Sequence, residues 1–126
     1  MTLQELYERI DGDYEQALRI MRKEKMIDRY IGKLKNSRVY EGLMEASASL
    51  DPAAMFESAH SMKGVTANLG LNKLSHEVSE IADEFRPGTS RKFTDDEVHA
   101  RLNKIRDMYQ RVSDGIDEYE GSKEDL

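Results

Sequence analysis

Apolar residues recur along this chain at three- and four-residue spacings, the period of helices that each bury one face, and beta-branched runs that would support strands are absent. Thr2-Leu3-Gln4-Glu5 has the form of a capping box and predicts a short first helix to about Ile10, broken by Asp11-Gly12-Asp13. A second helix is expected from about Tyr14 to Lys35, with Leu18, Met21, Ile27, Tyr30, Ile31 and Leu34 as its buried side. Asn36-Ser37 ends it, and Arg38 to Leu50 follows as a third helix through Val39, Leu43 and Ala46. Asp51-Pro52 pairs an N-cap aspartate with a proline at the first helical position, opening a fourth helix that ends near Gly70. Asn72 is the expected cap of a fifth helix through Leu74, Val78, Ile81 and Phe85, closed by Arg86-Pro87-Gly88. Thr94-Asp95-Asp96-Glu97 opens the last helix, whose seam is Val98, Leu102, Ile105, Tyr109, Val112, Ile116 and Tyr119.

The expected fold is all-α: an antiparallel up-and-down four-helix bundle built from the second, fourth, fifth and last helices. A short N-terminal helix and the short helix before the fourth are additions to it. The last helix could instead make a homodimeric coiled coil, but burial in the monomer's own bundle explains its seam equally well and is preferred.

Within the fourth helix, His60, Lys63, Gly64 and Ala67 share one stripe, while Met55, Met62, Val65 and Leu69 lie roughly opposite. Packing on the apolar stripe therefore holds the His60 imidazole toward water, beside a cation and a residue without a side chain. Imidazole is the side chain that offers a free lone pair near neutral pH. A glycine in the middle of a helix costs about 1 kcal/mol relative to alanine, so Gly64 marks a place of close approach.

Composition narrows the setting. The chain has 126 residues, 38% of them hydrophobic and 35% charged, which suits one small amphipathic helical domain. Its net charge of −6 argues against a nucleic-acid binder, and Arg22, Lys23, Lys25, Lys33 and Lys35 read as solvated helix face. It contains no cysteine, hence no disulfide or thiol chemistry. The N-terminus carries no apolar signal core and no window approaches a membrane span, so a cytoplasmic protein without membrane contact is expected.

Ala59-His60-Ser61-Met62-Lys63-Gly64, followed by Asn68-Leu69-Gly70 and Leu74, resembles the histidine phosphotransfer (HPt) domain. Met62 stands where that family usually has leucine, a volume-conserving change. The resemblance runs from the second helix to the last and implies a single domain over residues 1–120, with 121–126 a disordered tail. It further implies a phosphocarrier of a two-component phosphorelay. His60 would accept a phosphoryl group from a receiver aspartyl-phosphate and pass it to another receiver aspartate. Lys63 would stabilise phosphate charge and Gly64 would clear the partner's approach. Phe56, Glu57, Ala67 and Asn68 are implied contacts with that partner, Phe56 as an apolar anchor. Response-regulator receivers, and a hybrid sensor histidine kinase, are the implied partners of a monomer. Mg²⁺ is expected on the receiver and no cofactor or metal on this chain. With no ATP-binding kinase segment in view, the activity is a phosphotransferase half-reaction. Many family members carry a glutamate in the following helix, and Glu77, Glu80 and Glu84 all remain open for that position.

Other readings compete with this one. Glu57-Ser58-Ala59-His60 matches the Glu-x-x-His element of di-iron bundles, although such sites need two of these elements and two further inward glutamates. His76 and His99 lack the lysine-glycine sequel and read as surface residues. The main alternative is a helical interaction module that is never phosphorylated and sequesters receivers.

Overall fold

The computed structural model describes residues 1–124, and seven helices account for most of them: α1 (Leu3–Arg9), α2 (Tyr14–Met21), α3 (Glu24–Asn36), α4 (Val39–Ser47), α5 (Pro52–Asn68), α6 (Asn72–Glu84) and α7 (Asp95–Glu124). No strand occurs among the described residues, and the helices form a bundle around one apolar core. Local chemistry sets most boundaries. Thr2 and Glu5 cap each other's backbone at the start of α1. Thr94 and Glu97 do the same at α7, where the Thr94 hydroxyl accepts from the Glu97 N–H at 3.1 Å. Asp51 accepts from the Ala54 N–H at 3.0 Å, with Pro52 in the first turn of α5.

Four expectations are corrected. The segment expected as one helix from Tyr14 to Lys35 is two, because Arg22 adopts a left-handed conformation (φ 74°) and its N–H closes α2 on the Leu18 carbonyl at 2.7 Å. The bend lets Ala17 bury itself near α5 while Ile27, Ile31 and Leu34 of α3 are buried with α7 as a neighbour. Tyr30, expected inside, is 37% exposed. The third predicted helix, α4, stops at Ser47 and is no mere addition: it packs on α5 and α7 and buries Leu43 and Ala46. Asn72 does not cap α6, because its side-chain amide exchanges hydrogen bonds with that of Gln16 at 3.0 and 3.1 Å.

The C-terminus also differs from expectation. α7 runs through Gly121 to Glu124 where a frayed tail from 121 was expected; residues 125–126 lie outside the described ones. Tyr119 is buried and donates to Asp28 at 2.6 Å, Lys123 pairs with the same carboxylate, and the Ser122 hydroxyl donates to the Tyr119 carbonyl. Six of the seven predicted α7 seam residues, Val98, Leu102, Ile105, Val112, Ile116 and Tyr119, are buried within the chain's own bundle, while Tyr109 is half-buried and stacks on Tyr40.

The turn from α5 into α6 is held by several backbone hydrogen bonds. Gly70 has φ 69°, its N–H donates to the Ala67 carbonyl, and the Leu71 N–H donates to the Thr66 carbonyl at 2.9 Å, which together make a Schellman cap. The Gly70 carbonyl in turn accepts the Asp13 N–H at 2.8 Å, and the Tyr7 hydroxyl donates to the Leu69 carbonyl at 2.7 Å. One turn thus ties α1 and α2 to the end of α5. A Cβ at Gly70 would sit 2.4 Å from the Asp13 carbonyl oxygen. Gly70→Ala is expected to cost about 2 kcal/mol or more, from left-handed strain and this backbone clash. Urea unfolding measures it, and an unchanged midpoint would contradict the role given to the turn.

Candidate functional site

α5 divides its residues between core and solvent. Met55, Ala59, Met62, Thr66 and Leu69 are buried, and the Thr66 hydroxyl is satisfied by donating to the Met62 and Lys63 carbonyls at 2.9 and 3.1 Å. His60 and Gly64 are exposed on the other side, with Lys63 and Ala67 half-buried between. The expected stripe is therefore present. Val65, assigned to the buried side, is only half-buried and lines a groove instead.

The surroundings of His60 suit a nucleophile. Its ring stacks on Phe56, one turn earlier, with centroids 5.5 Å apart and planes 19° apart. Neither ring nitrogen has a hydrogen-bond partner among the described residues. A Cβ built at Gly64 meets nothing within 4 Å, so the glycine leaves open space above the helix and its absence of a side chain answers to no close neighbour among the described residues. Ser75 of α6 donates to the Lys63 carbonyl at 3.3 Å, bracing this part of α5 from behind.

The other predicted contact residues divide. Glu57 and Asn68 are exposed, and Asn68 borders an apolar groove of about 560 Å³ between α2, α3 and α5. Ile20, Met21, Met26 and Tyr30 line that groove from the other side, with Ile20 44% exposed. Phe56 is half-buried and already occupied: His60 stacks on its ring and the Arg86 guanidinium lies 5.2 Å from its ring centre. Arg86 was not singled out in the sequence. Its one signal is register: Phe56 and Arg86 lie almost equally far in sequence from Gly70, so an antiparallel α5–α6 pair brings them together.

A family model of the Hpt domain matches residues 2–115. The chain belongs to the Hpt domain family. No curated protein and no solved structure gives a match. As an Hpt domain, the protein is a histidine phosphocarrier of a phosphorelay, a family whose members interact with response-regulator receivers. Among the described residues, no helix is long and apolar enough to cross a membrane. The di-iron reading fails on geometry, because Glu57 and His60 both face solvent whereas that chemistry needs them directed into the bundle.

The three glutamates of α6 separate by environment. Glu77 pairs with Lys104 at 2.9 Å, and Glu80 pairs with Arg101 and lies 3.3 Å from His76. Glu84 is buried and accepts from the Phe93 and Lys92 N–H groups at 2.8 and 3.1 Å and from Arg91 at 3.3 Å. It therefore clamps the loop from α6 to α7, the loop that carries Arg86. Burial pushes the Glu84 carboxyl up, but the two N–H donors and the guanidinium outweigh it, leaving the pKa below the ordinary 4.5. A folded-state pKa held low adds stability above the ordinary value and loses it as pH falls through the folded one. Glu84→Gln is expected to lower stability by about 1–3 kcal/mol at neutral pH. In denaturant titrations the gap to wild type should close as the pH drops below 4.5; a gap that persisted in acid would contradict the charged clamp.

Proposed function

We propose that His60 is the phosphorylated residue of this carrier, receiving its phosphoryl group from the aspartyl-phosphate of one receiver domain and delivering it to an aspartate of another. The observation that carries the reading is the exposed imidazole with both ring nitrogens unengaged, beside a cation and an open glycine. In the forward step, the lone pair of one ring nitrogen forms the N–P bond as the acyl-phosphate O–P bond breaks. The receiver aspartate leaves as a carboxylate, and the proton on the other ring nitrogen stays on the ring. Positioning and charge stabilisation supply the catalysis. Lys63 faces the phosphoryl oxygens, and Mg²⁺ is held by the receiver's acidic cluster.

Docking on the C-terminal half of α5 is supported by the apolar groove at Asn68, which offers Ile20 and Tyr30 to a partner's apolar side chains. Lys33 lines the same groove, and Arg22, Lys23 and Lys25 are exposed next to Met21 and Met26. These cations suit an acidic receiver face, although the whole chain carries −6. Phosphorylation, and not sequestration alone, is favoured because sequestration makes no use of an unengaged nucleophile.

Incubation with a receiver domain carrying radiolabelled phosphate and Mg²⁺ should give acid-labile, base-stable label on wild type and none on His60→Gln. Unlabelled wild type, or equally labelled His60→Gln, would overturn the proposal. Gly64→Gln should slow transfer by about tenfold or more through misplacement of the partner. Its unfolding midpoint should stay at or above that of wild type, since the position is open and mid-helix glycine is itself unfavourable. Unimpaired transfer in that variant would contradict the clearance argument.

A further inference from the structure

Two groups lie against the Phe56 ring, His60 and Arg86, and they are differently restrained. Arg86 is fixed from below: its guanidinium donates to Asp83 at 2.9 Å, and its carbonyl accepts from the Thr89 N–H and hydroxyl at 3.2 and 2.7 Å. The loop around it is held by the buried Glu84 through the Lys92 and Phe93 N–H groups. Phe56 packs partly against the core and carries the guanidinium 5.2 Å from its centre. His60 is exposed, and among the described residues its ring has no hydrogen bond or ion pair to orient it, so the stack on Phe56 at 5.5 Å and 19° is its restraint.

We propose that Phe56 is a positioning residue for His60, with Arg86 holding Phe56 in place, so that the stack presets the imidazole plane for transfer. This rests on His60 being the phosphorylated residue. The lone pairs of an imidazole lie in the ring plane, so contact on its face leaves both in-plane directions open to a phosphorus atom. An exposed histidine free to change rotamer would spend only part of its time aimed along the line of attack. The near-parallel stack removes that loss before any partner arrives. Phe56, expected from the sequence to be an apolar anchor for the partner, thus already has its ring in contact with His60 and the Arg86 guanidinium within the chain.

The test uses two donors. Phosphoramidate phosphorylates imidazole without a receiver: its P–N bond breaks as the new N–P bond forms, and ammonia leaves. Rates of His60 labelling are measured for the full chain with phosphoramidate and with a phosphorylated receiver, for wild type, Phe56→Leu, Phe56→Tyr, Arg86→Ala and His60→Gln. Leucine keeps an apolar side chain but no ring. Phe56→Leu is expected to slow labelling by both donors by roughly two- to tenfold, the worth of an aromatic pair. Phe56→Tyr should restore both rates, and Arg86→Ala should slow both to a smaller degree. In proton NMR, the ring-proton resonances of His60 should lose the ring-current displacement in Phe56→Leu and keep it in Phe56→Tyr, a change that altered stability alone would not produce. If Phe56→Leu slows only the receiver, Phe56 is a docking contact and the inference is overturned. Equal rates with both donors, or unmoved His60 resonances, overturn it as well. Failure of the underlying proposal looks different: wild type then takes no label at His60 from either donor, whatever stands at position 56.

Discussion

The burial of Met55, Ala59, Met62, Thr66 and Leu69 along one side of α5 sets the direction in which His60 points, because a helix cannot turn its reactive face without dragging its buried one. Each fully buried methionine or leucine is worth about 1.5–3 kcal/mol, so rotating α5 about its axis would forfeit several of these at once. The helix is also fixed lengthwise. Its far end closes on Gly70, whose carbonyl and whose neighbour Leu69 are hydrogen-bonded to the turn and helix at the N-terminus. Its start is held by Asp51 and Pro52. The imidazole therefore stands on a rigid support and is left exposed to solvent.

The proposed transfer asks little chemistry of the carrier itself. A phosphohistidine needs a lone pair, a counter-charge and room for a partner, and on the proposed reading His60, Lys63 and Gly64 offer all three from one helix face. The remaining devices around α5 are structural. Glu84 holds the loop after α6, Ser75 braces the Lys63 carbonyl, and the ion pairs from α6 to α7 keep that helix pair aligned. Surface charge is unevenly spread: exposed cations cluster around the break between α2 and α3 on a chain that is acidic as a whole.

Much of this was legible in the residues. Capping boxes at Thr2 and Thr94, the Asp51-Pro52 start and the Gly70 stop are local signals that tertiary packing had no reason to override. The stripe of His60, Lys63 and Gly64 followed from helical period alone. The break at Arg22 was missed because a left-handed arginine carries no glycine or proline signature, although the polar run Arg22-Lys23-Glu24-Lys25 interrupts the apolar spacing between Met21 and Ile27. Asn72 had the chemistry of a cap, but Gln16 from a helix distant in sequence claimed its side chain. Which of Glu77, Glu80 and Glu84 is buried depends on the path of the following loop, and the pairing of Arg86 with Phe56 depends on the register of two helices. Neither is written in any single segment.

The central claim is that α5 keeps its core side and its reacting side independent, so that phosphoryl transfer at His60 leaves the bundle as it is. Amide proton–nitrogen correlation spectra of the full chain, recorded before and after phosphorylation, with the modified residue mapped by mass spectrometry, test it most directly. One phosphate on His60 is predicted, with shifts confined to the outer side of α5 between Phe56 and Asn68 and the amides of the α7 seam unmoved. Phosphate on another residue, or shifts spreading through Ile105, Val112 and Ile116, would contradict it.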